Sequence, residues 1–74
     1  MHGTMKIQDP TGHTEVNWDS EDAGSVRTAR ETFERMTGQG YRAFHVEGGA
    51  KAERMESFDP AAEQMVLIPQ LVGG

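Results

Sequence analysis

Two short stretches near the start of the chain alternate between apolar and polar residues. Over residues 4–8, Met5 and Ile7 fall on one face and Thr4, Lys6 and Gln8 on the other. Over residues 14–18, Val16 and Trp18 oppose Glu15 and Asn17. A period of two predicts half-buried strands. Between them Asp9-Pro10-Thr11-Gly12 has the composition of a tight turn, because proline presets φ and glycine accepts positive φ. Together these segments predict an N-terminal β-hairpin.

The period then lengthens. Val26, Ala29, Phe33 and Met36 recur at the spacing of one helical stripe, with Arg27, Arg30, Glu31, Glu34 and Arg35 on the opposite side. Glu31 precedes Arg35 in the order that favours an ion pair between successive turns. Asp19, Ser20, Glu21 and Asp22 gather where the helix should begin, where carboxylates cap amides and oppose the helix dipole. Gly24 costs about 1 kcal/mol inside a helix, which makes Ser25 a second candidate cap. Gly38 and Gly40 supply the stop, as a left-handed cap and turn.

Residues 41–47 predict a strand with Phe44 and Val46 on the inner face. Gly48-Gly49-Ala50-Lys51 reads as a loop, residues 54–58 as a short strand, and residues 59–63 as a turn or single helical turn. Met65-Val66-Leu67-Ile68 is the continuous apolar run of a central strand, and Pro69, with no amide to donate, ends it. The expected architecture is α+β: one amphipathic helix across one face of a mixed sheet. With the first and last strands adjacent at the centre, this is the β-grasp arrangement, a single domain over residues 1–69 followed by a flexible tail over 70–74.

Composition narrows the function. The 74 residues allow one small core, and a chain of this size buries only about 60% of the surface its unfolded form exposes. Without cysteine there is no disulfide, no thiolate nucleophile and no thiolate ligand, in keeping with a reducing cytoplasm. The first residues show neither the basic region nor the apolar region of a secretion signal, and no apolar run is long enough to span a bilayer. A net charge of −5, spread along the chain, disfavours nucleic acid and anionic lipid and suits a partner with a basic docking face, or else serves solubility alone.

The last segment carries the chemistry. Met65-Val66-Leu67-Ile68-Pro69-Gln70-Leu71-Val72-Gly73-Gly74 resembles the C-terminus of the ubiquitin-like superfamily. It is similar in particular to the sulfur carriers of molybdopterin and thiamine synthesis and to the small archaeal modifier proteins. Phe58-Asp59-Pro60 before the last strand is similar to small bacterial ubiquitin-like proteins encoded beside activating-enzyme homologues. The resemblance implies that Gly74, with Gly73, is the acyl donor, and that Leu71 and Val72 pass into a partner's channel. The implied partner is a separate adenylating enzyme, with target-protein lysines or a sulfur-accepting enzyme beyond it. Ubiquitin's tail has basic residues, whereas residues 69–74 have no charged side chain, which favours the sulfur-carrier or archaeal style.

The tail suits that chemistry. A carboxylate donates its acyl group only after its oxygen becomes a leaving group, which adenylation provides, and every catalytic group then belongs to the partner. Two glycines let the backbone thread a tunnel whose walls a Cβ would meet. Elsewhere the chain offers little. His2, His13 and His45 have no metal-ligand spacing, and Gly48-Gly49-Ala50-Lys51 lacks the spaced first glycine and the hydroxyl residue of a phosphate loop. Nothing resembles a catalytic triad or a carboxylate pair. The chain is therefore expected to be no enzyme and to need no cofactor or metal. The alternative function is a non-covalent interaction module that binds through its outer sheet face.

Overall fold

The computed structural model describes residues 1–47 and 51–69. Its elements run β1 (His2–Asp9), β2 (Gly12–Asp19), α1 (Ala23–Gly38), β3 (Arg42–Glu47), β4 (Lys51–Met55) and β5 (Gln64–Ile68). The five strands form one mixed sheet in the order β2-β1-β5-β3-β4. β1 and β5 pair in parallel at its centre, Met5 opposite Met65 and Ile7 opposite Leu67. The other three pairings are antiparallel. This is a single β-grasp-like α+β domain. Among the described residues no helix is long and apolar enough to cross a membrane.

The hairpin closes on Pro10–Thr11, with Asp9 opposite Gly12. Gly12 has φ +141°, a conformation that side-chain-bearing residues avoid. α1 begins at Asp22, whose carboxylate accepts from the Gly24 amide at 3.1 Å, so the aspartate caps the helix. Ser25 instead ties the end of β2 to the first helical turn, its hydroxyl accepting from the Asp19 amide at 3.0 Å. At the other end the Gly40 amide donates to Thr37 and the Tyr41 amide to Met36, with Gly40 at φ +101°. That pair of bonds is a Schellman motif, and it places the stop on Gly40 while Gly38 remains helical.

The core lies between α1 and one face of the sheet. Met5, Ile7, Trp18, Ala29, Phe33, Ala43, Ala62, Met65 and Leu67 are buried, with Val26, Met36, Tyr41, Met55 and Phe58 packed at its margin. The predicted helical stripe is therefore the buried one. α1 lies chiefly over β2. The Trp18 indole sits against Gly3, where a Cβ would run into its ring, and its Nε1–H donates to the Pro60 carbonyl at 3.1 Å. Phe58 meets Trp18 and Phe33 edge to face, with ring centres 5.1 and 5.9 Å apart. Those contacts tie the β4–β5 connection to the core.

Three expectations are corrected. In β3 the inner face is that of Ala43, opposite Leu67 and Met55, so Phe44 and Val46 lie on the other face. The fourth strand starts at Lys51, within the segment read as a loop, and ends at Met55 rather than at Phe58. Its register with β3 decides this, since Lys51 pairs with Glu47 and Met55 with Ala43. Glu31 and Arg35 form no ion pair. Among the described residues the ion pair present joins the Met1 amino group to Asp19 at 3.7 Å.

Candidate functional site

Leu71, Val72, Gly73 and Gly74, on which the tail chemistry would rest, lie outside the described residues. What the structure describes is their point of attachment. β5 runs between β1 and β3, and Pro69 follows Ile68 at its end, where Ile68 pairs with Arg42. From the strand directions, the turn at Pro10–Thr11, the C-terminal end of α1 and the end of β4 share this pole. A cleft there is lined by Thr37, Tyr41, Arg42, Arg54, Met55 and Glu56.

The acids that are candidates for partner docking lie elsewhere. Asp19, Glu21 and Asp22 sit at the end of β2 and the start of α1, at the opposite pole of the sheet. A 16-residue helix separates them from the attachment point, about 24 Å at 1.5 Å per residue. Their local roles are visible. The Glu21 amide donates to the Asp19 carboxylate at 3.0 Å and, with the nearby Met1 amino group, holds that carboxyl below its ordinary range. Asp9, in the hairpin turn, accepts from the Thr11 hydroxyl at 2.6 Å and the Thr11 amide at 2.8 Å, and is lowered in the same way. Among the described residues no three of His, Asp or Glu gather closely enough to hold a metal ion.

The face of the sheet away from α1 is the larger feature. Pair register carries one row straight across four strands: Lys6 on β1, Val66 on β5, Phe44 on β3 and Arg54 on β4. Ile68 and Arg42 form the next row toward the attachment pole. Phe44 and Val66 are half-buried and Ile68 is exposed, with no second layer over them among the described residues. On these four strands the residues of this face are His2, Thr4, Lys6, Gln8, Gln64, Val66, Ile68, Arg42, Phe44, Val46, Ala52 and Arg54. None of the chain's 12 acidic residues is among them, and the face holds three of its seven Lys and Arg. Acids border this face: on the edge strand β2, Glu15 stands opposite Lys6 and Asp19 opposite His2, Glu63 lines a cleft with Thr4 and Lys6, and Glu56 one with Arg42 and Arg54.

Sequence reasoning misses this surface because it ranks Phe44 and Val46 as the inner residues of β3. A signal for it exists in β5. Met65 and Leu67 on one side and Val66 and Ile68 on the other make a strand apolar on both faces, and a fold with one helix can cover only one of them. Comparison with protein-family models, with curated proteins and with solved structures found no match to this chain.

Proposed function

We propose that this chain is a ubiquitin-like carrier whose reacting group is the carboxylate of Gly74, activated by a separate adenylating enzyme. It then acts as a protein modifier or a sulfur carrier. The observation that supports this most is the placing of β5 as the central strand, parallel to β1 and ended at Pro69, with the Gly-Gly sequence following within five residues. A rigid central strand gives the following segment a fixed origin, and a proline stops it from extending the ladder.

In the proposed reaction the carboxylate attacks the α-phosphate of ATP and releases pyrophosphate, leaving an acyl-adenylate. A partner's cysteine thiolate or a sulfide equivalent then displaces AMP, giving a thioester or a thiocarboxylate; from the thioester a lysine amine can take the acyl group. The chain itself contributes reach, a slender backbone at Gly73 and Gly74, and the apolar pair Leu71-Val72 for the partner's channel. Deleting Gly74, or widening the tail with Gly73→Val, should abolish ATP–pyrophosphate exchange with the cognate adenylating enzyme and leave the melting temperature unchanged. Exchange that persists in both variants excludes this reading. Conjugates must be sought as long branched peptides, because Arg54 is the last trypsin site and everything from Met55 to Gly74 stays on the modified lysine.

A second reading, a non-covalent interaction module, is favoured by the uncovered apolar and basic face. It keeps partner binding when Gly74 is removed.

A further inference from the structure

We propose that the outer edge of β2 pairs antiparallel with β2 of a second copy of this chain, about a two-fold axis between the two Val16 residues. The pairing uses neither the tail nor the open face of the sheet.

The hydrogen-bond phase of the hairpin decides what that edge offers. In an antiparallel pair, residues bonded to the partner strand alternate with residues whose N–H and C=O point away from it. The Ser20 amide donates to the Met1 carbonyl at 2.8 Å, in the same ladder phase as the Asp9–Gly12 pair that closes the turn. The even-numbered residues of β2 therefore face β1. The odd-numbered ones turn their backbone groups outward, and Asp19 shows it, since its amide leaves the sheet to donate to the Ser25 hydroxyl at 3.0 Å. His13, Glu15 and Asn17 keep both backbone groups directed outward, and no described strand pairs with them on that side.

Edges of this kind are normally blunted by shortness, proline, bulges or charge. β4, at the other edge, is five residues long and carries Lys51, Glu53 and Arg54. β2 is eight residues long, keeps register with β1 without a bulge, and has no proline, lysine or arginine. Between His13 and Asp19 its one charge is Glu15.

Glu15 also selects the register. With a two-fold axis normal to the sheet, pairing centred on Glu15 or on Val16 brings the outward groups together. Centred on Glu15, it sets carboxylate against carboxylate, and like charges directly opposite destabilise a strand pair. Centred on Val16, it sets Glu15 opposite Asn17 and His13 opposite Asp19, twice each. This second register forms fewer backbone bonds, because the Asp19 amide is held by Ser25, but it engages more residues. It also brings the two half-buried Val16 side chains to the close spacing of a non-bonded pair. The carboxylates then meet amides and imidazoles rather than one another.

α1 offers little to obstruct the approach. Ser25, tied to Asp19, marks the flank of the helix nearest β2, and Thr28 and Thr32 follow on that flank. Both threonines turn their hydroxyls to their own helix, onto the Gly24 and Thr28 carbonyls. Arg30 and Glu34 line the opposite flank, beside Phe58. The side toward a second helix is therefore small and uncharged. A single strand edge is less than a standard interface requires, so the association is weak and reversible. Because the paired strands run antiparallel, the two Pro69 positions lie at opposite poles of the joined sheet. A strand of a different protein would need only to satisfy Glu15. The self-complementary order of His13, Glu15, Asn17 and Asp19 is what favours a second copy.

The test is sedimentation equilibrium of the full chain up to millimolar concentration, with amide NMR over the same range. The parent should dimerise reversibly. The Glu15 and Asn17 amides should shift and gain exchange protection with concentration, while those of β4 should not. The chain has no cysteine, so Val16→Cys reports a single contact. Under mild oxidation it should form covalent dimer about 10-fold or more faster than Ala52→Cys on the opposite edge, because only the Val16 positions come within disulfide reach. Asn17→Lys places a cation opposite each Glu15 and should tighten the dimer about 3-fold or more, and Asn17→Asp should weaken it by as much. Ala52→Lys, with the same change of net charge on the far edge, should have a much smaller effect. Position 17 is exposed, so its variants decide the matter even if Val16→Cys folds poorly. Deletion of Gly74 should change none of these results, which keeps this test separate from that of the carrier reading. A chain that stays monomeric at millimolar concentration overturns the proposal. So does equal cross-linking of the two cysteine variants, or a dimer equally strong with Lys and with Asp at position 17.

Discussion

On the helix side of the sheet, Met5, Ala43, Met65 and Leu67 are withdrawn from water almost completely. On the other side their immediate chain neighbours Lys6, Phe44 and Val66 keep part of their surface in solvent. The backbone is the same and the strands are the same. The difference is that one helix can roof only one face, and a domain of this size has no second layer for the other. The covered face is therefore constrained by packing, down to Gly3 beneath the Trp18 indole. The open face is less constrained: Phe44 and Val66 meet only across the strands and keep part of their surface in water.

Breaking the covered face should have the largest effect. Phe33→Ala removes the helix's central contact, and with it the edge-to-face partner of Phe58. It should cost about 3 to 5 kcal/mol, enough to unfold much of a small domain, as read by thermal melting or urea titration. A melting temperature equal to that of the parent would mean the stripe is not the core.

Gly3→Ala comes next. Its new methyl meets the ring of Trp18, a rigid group held by the Pro60 carbonyl and by Phe58, so it should cost about 1 to 3 kcal/mol. Trp18 fluorescence should shift along with the midpoint. An unchanged emission spectrum would show that the indole does not lie over Gly3.

The open face should respond much less. Phe44→Thr gives up a half-buried cross-strand contact with Val66, worth about 1 kcal/mol or less, while keeping a residue suited to strands. A loss as large as that of Phe33→Ala would show that the two faces are equally structural.

The smallest effect is one of pH. A carboxyl whose folded pKa is depressed stabilises the fold above its unfolded pKa, and loses that contribution as pH falls through the folded one. Asp9 is lowered from an ordinary 3.8 mainly by the Thr11 hydroxyl, at an exposed turn. The melting temperatures of the parent and of Asp9→Asn should therefore differ slightly at neutral pH and converge as pH drops below about 3.8. A gap that stays constant down to strong acid would mean that the Thr11 bonds do not favour the charged form.

Much of the covered face is legible in the chain. Met5 and Ile7, the stripe through Ala29 and Phe33, and the run ending at Pro69 each carry a period or a breaker that acts locally. Ala43 is not legible, because hydrophobicity ranks Phe and Val above Ala and His. The choice is made by partners distant in sequence: Ala43 pairs with Leu67 and Met55, and that register turns Phe44 and Val46 to the other face. Phe58 escapes for another reason. It is a single aromatic in an irregular segment, with no repeat to reveal that Trp18 and Phe33 await it. The open face follows from neither propensity nor pattern alone, since it exists only once four strands are in register.

The parallel pairing of β1 with β5 also governs how the domain can form. Thr4 finds Gln64, and Ile7 finds Leu67, so the middle of the sheet joins the two ends of the described chain. Contacts of such high order in sequence slow folding, because loop-closure entropy is lost before the contacts compensate it. During synthesis the hairpin and helix emerge first and must wait with their apolar sides unsatisfied, and no sheet can close until Ile68 has left the ribosome. A nascent chain stalled anywhere before β5 should therefore stay protease-sensitive along its whole length.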